Sequence, residues 1–106
     1  MAEGPKHRST LAEHPDVKDV LPRFIARLPG HVKRLRDFQA AGSAADVQLL
    51  VHQLRGAGKS YGFAPMSDLA ADVEEQLVAG ASLAQVAPAV EALIEFIQRV
   101  EGYTAM

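Results

Sequence analysis

From about residue 16 onward, the large apolar residues of this chain recur in steps of three and four, the spacing of one helix face. Val17, Leu21, Phe24, Leu28, Leu35 and Phe38 form the first series, with His31 at one seam position. Val47, Leu50, Leu54 and Tyr61 form the second; Met66, Leu69, Val73 and Leu77 the third; Val86, Val90, Leu93, Ile97 and Val100 the fourth. No alternating β-branched run and no Asn-Gly or Asp-Gly hairpin turn competes with them.

Glycine and proline punctuate the series. Ala40-Ala41-Gly42-Ser43 reads as a turn, and the second helix runs from about Ala44 to Tyr61. Gly62 stops it, Pro65 opens the third in its first turn, and Gly80 ends that one. Ser82 caps the fourth, with Pro88 expected to move its start a turn later. Pro22 is expected to separate a short helix at 16–21 from a longer one that Pro29 kinks or breaks. Four amphipathic helices with short links predict an all-α, antiparallel four-helix bundle over 15–104, with the short extra N-terminal helix across one end. Residues 1–14, with Leu11 as their one large aliphatic residue, are expected to be a mobile lead-in carrying His7 and His14.

Composition narrows the function. The 106 residues suffice for one core, and a net charge of -2 argues against a nucleic-acid binder. With no cysteine, disulfides, thiolate zinc sites and cysteine nucleophiles are excluded. No apolar run approaches the ~18 residues of a membrane span, so a cytoplasmic location is expected.

One segment departs from ordinary bundle sequence: His52-Gln53-Leu54-Arg55-Gly56-Ala57-Gly58-Lys59-Ser60-Tyr61-Gly62-Phe63. On a helical projection at ~100° per residue, Val47, Leu50, Leu54, Ala57 and Tyr61 fall within about 40° of one direction, the core face. His52 points the opposite way, with Arg55, Gly56 and Lys59 within about 60° of it. Ala45, Gln48 and Leu49 extend that face toward the other end of the helix. A helical glycine costs about 0.5–1 kcal/mol against alanine, so Gly56 and Gly58, two positions apart, need a reason. Gly56 leaves a flat spot where a partner reaches the imidazole; Gly58, on the flank, allows close helix packing. Gly58-Lys59-Ser60 imitates the end of a phosphate loop, but Gln53 holds the leading glycine position and no strand precedes it. His31 reads as a partly buried packing residue, and Tyr61 and Phe63 as core. No second metal ligand stands at helical spacing from His52.

The run His52-x-Leu54-Arg55-Gly56-x-x-x-x-x-Gly62, followed by Leu69 and Glu74, resembles the signature of histidine-containing phosphotransfer (HPt) domains of two-component phosphorelays. The resemblance covers about Val17 to Val100, including the Leu28-Pro29-Gly30 stretch of the preceding helix. It implies a four-helix bundle that displays His52 as phosphoacceptor, with Arg55 at the position usually held by lysine. It places Glu74 where a Gln, or a Glu in chemotaxis-kinase members, hydrogen-bonds the imidazole. Arg55 and Lys59 are then expected to offset phosphoryl charge, Gly56 to permit close approach, and Ala45, Gln48 and Leu49 to dock the partner. The implied chain is a phosphoryl carrier rather than an enzyme with an ATP site, and it needs no cofactor, Mg²⁺ being expected on the partner. Response-regulator receiver domains and a hybrid histidine kinase are the expected partners, without nucleic acid or membrane, and the chain is expected to be a monomer. Met1 and the short tail after Val100 are expected of a free protein rather than an excised module. Two other functions stay open: a phosphoacceptor module of a chemotaxis-type kinase, and a non-catalytic docking adaptor, for which loss of the histidine would be the mark.

Overall fold

A computed structural model describes residues 6–105. Its helices are α1 (Leu21–Ala40), α2 (Ala44–Ser60), α3 (Ala64–Val78) and α4 (Leu83–Gln98). Helix α2 packs against α3, α3 against α4, and α1 against both α2 and α4, which closes a four-helix bundle. Their apolar stripes meet in one core, with Leu28, Leu35, Val47, Leu54, Met66, Val73, Val90, Leu93 and Ile97 almost wholly buried. Phe63 is buried there, and the half-buried Tyr61 ring stacks on Phe24 at 4.2 Å between centroids. His31 is half-buried, as its seam position predicts.

The turn between α2 and α3 matters most for the site. Gly62 takes φ +85°, and the Phe63 N–H donates back to the Gly58 carbonyl at 2.7 Å, closing α2 with a left-handed cap. Pro65 sits in the first turn of α3. Gly58, buried in α2, lies so close to α3 that a Cβ there would stand 2.8 Å from the Ser67 nitrogen and 2.5 Å from its Oγ. Close packing is therefore its role, and it sets how far apart α2 and α3 run.

Three expectations are corrected. Helix α1 runs from Leu21 to Ala40, so Pro29 does not break it; burial of the pyrrolidine ring in the core series offsets the hydrogen bond it cannot make. Likewise α4 begins at Leu83, not a turn later. A capping box holds its first turn: Ser82 Oγ accepts from Gln85 N, and Gln85 Oε1 accepts from Ser82 N. The short helix at 16–21 is replaced by turns, in which the His14 carbonyl accepts from Val17 and Lys18, and the Val17 carbonyl from Val20 and Leu21. Pro22 has no N–H to offer the Lys18 carbonyl, so the ladder loses a rung where α1 begins.

The lead-in expected over 1–14 is described from residue 6 onward. Residues 1–5 lie outside the described residues; residues 6–14 form a strap tied to the bundle. His7 bridges in parallel to Val100, with His7 N donating to Arg99 O at 2.7 Å and Glu101 N to His7 O at 2.8 Å. The buried Ser9 donates its hydroxyl to the Tyr61 carbonyl, and Thr10 N donates to Gly62 O at 3.0 Å. The strap thus joins the end of α4 to the α2–α3 turn.

The His7 ring stacks on Phe96 at 4.0 Å. Burial and then the Arg99 guanidinium hold its pKa below the ordinary 6.5. Burial, Arg34 and Arg27 do the same for His31. Both imidazoles are favoured neutral in the fold, so their contribution is complete above about 6.5 and lost as pH falls toward the depressed folded value. The melting temperature should therefore fall between neutral and mildly acidic buffer, and fall less steeply in His7→Phe. An unchanged slope in that variant would remove the strap histidine from the account.

Candidate functional site

On α2 the His52 side chain stands out from the bundle, 68% exposed. Its Nδ1 lies 2.7 Å from Glu74 Oε2, across the α2–α3 contact. Glu74 is only 13% exposed, and its other oxygen, Oε1, accepts from Arg55 Nη1 at 3.1 Å. Arg55 also stands 3.7 Å from Glu75 Oε2. One carboxylate therefore bridges an imidazole and a guanidinium that sit three residues apart on the neighbouring helix.

Charge fixes the proton positions. Burial by itself would raise the Glu74 pKa, but the hydrogen bonds from Arg55 and His52, with the positive charge of the guanidinium, outweigh it and hold the carboxyl below its ordinary range. An ionised carboxylate only accepts, so the imidazole proton belongs on Nδ1. Nε2 is then left with a free lone pair on the exposed side of the ring. That is the arrangement of a nucleophile with an orienting base.

The surroundings suit close approach. Ala45, Gln48, Leu49, His52 and Glu74 line a shallow groove, and Leu49 is 58% exposed at its wall. On the other side Gly56 faces open space, with nothing within 4 Å of where a Cβ would stand. The residues expected from sequence thus fall on one face, but one of them stands apart from the others. Lys59 is exposed about two turns, ~10 Å, beyond His52 and pairs with no carboxylate among the described residues. It is outside the His52–Glu74–Arg55 network.

Two participants were not expected. Glu75 offers Arg55 a second carboxylate. Ser67, buried at the start of α3, donates its hydroxyl to the Arg55 carbonyl at 2.6 Å, fastening α3 to α2 one turn beyond His52. Glu74 follows Ser67 by seven residues, two turns along the same helix, so this contact sets the register that brings Glu74 to the imidazole. The sequence signal was the glycine at 58, which announced a close approach without saying to what.

A family model for the Hpt domain matches residues 19–103. The chain belongs to the Hpt domain family. No curated protein and no solved structure shows a significant match to it. Hpt domains are phosphocarrier modules, and histidine phosphotransfer in two-component signalling is the function that membership assigns to this chain. Its partners are accordingly two-component receiver or kinase proteins. Among the described residues, no helix of this Hpt domain is long and apolar enough to cross a membrane, and no cluster of His, Asp or Glu could hold a metal ion.

Proposed function

We propose that His52 is the phosphoacceptor of this Hpt domain, and that it exchanges a phosphoryl group reversibly with aspartates of receiver domains. The observation that carries this reading is the exposed imidazole whose Nδ1 is held at 2.7 Å by a carboxylate kept ionised.

The Nε2 lone pair attacks phosphorus of a receiver phosphoaspartate. The N–P bond forms as the P–O bond of the acyl phosphate breaks, and the aspartate leaves with the electron pair. The proton stays on Nδ1, where Glu74 offsets the positive charge that develops on the ring. The reverse step returns the group to an aspartate. Arg55 keeps further N–H donors beyond the one it gives Glu74, and at 46% exposure it can turn them to phosphoryl oxygens. Gly56 lets the partner close on the imidazole, and Ala45, Gln48 and Leu49 seat it. Lys59 adds only a more distant positive charge. Mg²⁺ belongs to the acidic pocket of the receiver, and the chain itself works without a cofactor, in the cytoplasm, as a monomer.

The test is label transfer from a phosphorylated receiver domain. The label should arrive on His52 in an acid-labile, alkali-stable linkage; an acid-stable ester elsewhere overturns the reading. In the same assay Glu74→Ala should slow transfer about ten- to a hundredfold while leaving the site phosphorylatable. An unchanged rate would remove the orienting role.

A second reading has one observation in its favour. A glutamate rather than a glutamine at position 74 is what the chemotaxis-kinase resemblance implies, and such a module would be labelled from ATP by a separate kinase domain. Labelling by a receiver but not by a kinase with ATP separates the two.

A further inference from the structure

Charge is unevenly divided among the helices that flank His52. Helix α1 holds five of the eleven lysines and arginines against one carboxylate, Asp37. Helix α3 carries Asp68, Asp72, Glu74 and Glu75 and no cation. The helix that bears His52 runs between them, so the imidazole sits where a basic flank meets an acidic one.

The basic side chains of α1 fall into two groups. Lys33 pairs with Asp37 on its own helix, and Arg36 with Glu91 of α4. Arg23, Arg27 and Arg34 recur in steps of four and seven, within about 40° on a helical projection. All three are exposed, and none pairs with a carboxylate among the described residues. This row runs along the side of α1 nearer α2: Arg34 shares a groove with Leu49 and Gln53, and Leu49 is also a wall of the His52 groove. His31 Nδ1 accepts from Arg34 Nη2 at 2.5 Å, which steadies the guanidinium there. The groove's own carboxylate, Asp46, is engaged by Ser43 Oγ at 2.6 Å.

Three unpaired arginines, in a row that ends with Arg34 beside the protruding Leu49 at the wall of the His52 groove, form an anion-seeking surface. On the reading above, the partner presents a doubly charged phosphoryl group, carried as an acyl phosphate, beside the acidic pocket that holds its Mg²⁺, and a row of arginines complements that charge. We propose that Arg23, Arg27 and Arg34, with Leu49, are the docking rail for the acidic rim of the receiver domain, and that the carboxylates of α3 fix its orientation by repelling the same rim. The receiver then approaches with its acidic side over α1, which leaves Arg55 on the α3 side to meet the phosphoryl group.

The test uses the full chain and the receiver domain that exchanges phosphoryl with it fastest. Arg27→Gln with Arg34→Gln should slow transfer at low salt by about tenfold, the loss falling on KM rather than kcat. The difference should shrink as ionic strength rises. Lys33→Gln with Arg36→Gln removes the same charge from the other side of α1 and should cost less than about threefold. Equal losses in the two pairs would make the effect one of net charge, and no loss in either would dismiss α1 from docking; both overturn the rail. Loss of binding to phosphatidylglycerol vesicles in the first pair, with transfer undiminished, would reassign the row to a lipid surface. If no receiver labels the chain at all, the phosphotransfer reading falls and the rail with it, an outcome distinct from transfer that ignores Arg27 and Arg34.

Discussion

His52→Gln should accept no phosphoryl group from a receiver domain, a loss of at least about a thousandfold in transfer rate. Glutamine is the informative replacement because it separates chemistry from structure. Its amide nitrogen can still donate toward Glu74, as Nδ1 does at 2.7 Å, but it has no lone pair able to attack phosphorus. The side chain it replaces is 68% exposed and carries no part of the core, so stability should stay within about 0.5 kcal/mol. Parallel transfer and melting measurements read both quantities. Undiminished transfer would move the acceptor elsewhere. His14, exposed with its Nδ1 accepting from Asp16 N, is the next imidazole to examine, since His7 and His31 are engaged by stacking on Phe96 and by Arg34 respectively.

The second large effect concerns two glycines in one helix, from which opposite results are expected. At Gly58 a Cβ would stand 2.5 Å from Ser67 Oγ, 2.8 Å from Ser67 N and 3.0 Å from Phe63 O. Two of those atoms belong to backbone, so the helices themselves must part. Gly58→Ala should lose about 1–2 kcal/mol, the overpacking cost exceeding the gain in helix propensity, and Gly58→Leu at least about 3 kcal/mol. Because Ser67 holds the register of α3, the same displacement carries Glu74 off the imidazole and slows transfer. At Gly56 there is only open space. Gly56→Ala should therefore stabilise the domain by about 0.5–1 kcal/mol. It should also slow transfer several-fold, because the added methyl stands where the partner closes. Denaturant melts of the three variants check the signs. Destabilisation by Gly56→Ala, or none by Gly58→Leu, would contradict the packing described.

The end of α2, both ends of α3 and the cap of α4 were legible because Gly62, Pro65, Gly80 and Ser82 act locally, through backbone angles and caps that a short stretch of sequence displays. Pro29 and Pro88 misled because their local cost is offset, by burial of the Pro29 ring in one case and by a capping box in the other. The strap was illegible for a different reason. Ser9 and Tyr61 are far apart in sequence, and a single hydroxyl meeting a carbonyl leaves no periodicity behind. At the site, the direction of His52 followed from helix geometry, and its pairing with Glu74 from the family resemblance. That Arg55 would be shared between Glu74 and Glu75 depended on the spacing of α2 and α3, which Gly58 and Ser67 set together. Lys59 shares the face of His52 but not its network, since a common face says nothing of reach along the axis.

The strap also settles the traffic pattern around the domain. It fastens residues 6–14 to the α2–α3 turn and the end of α4, while the His52 groove opens toward the start of α2 at Ala45. Tyr61 follows His52 by nine residues, ~14 Å along the helix. Anything joined ahead of residue 6 is therefore moored at the other end of α2 from the imidazole. A reporter or neighbouring domain attached there leaves the imidazole open to a visiting receiver, whereas one inserted at the α1–α2 turn would stand in its way.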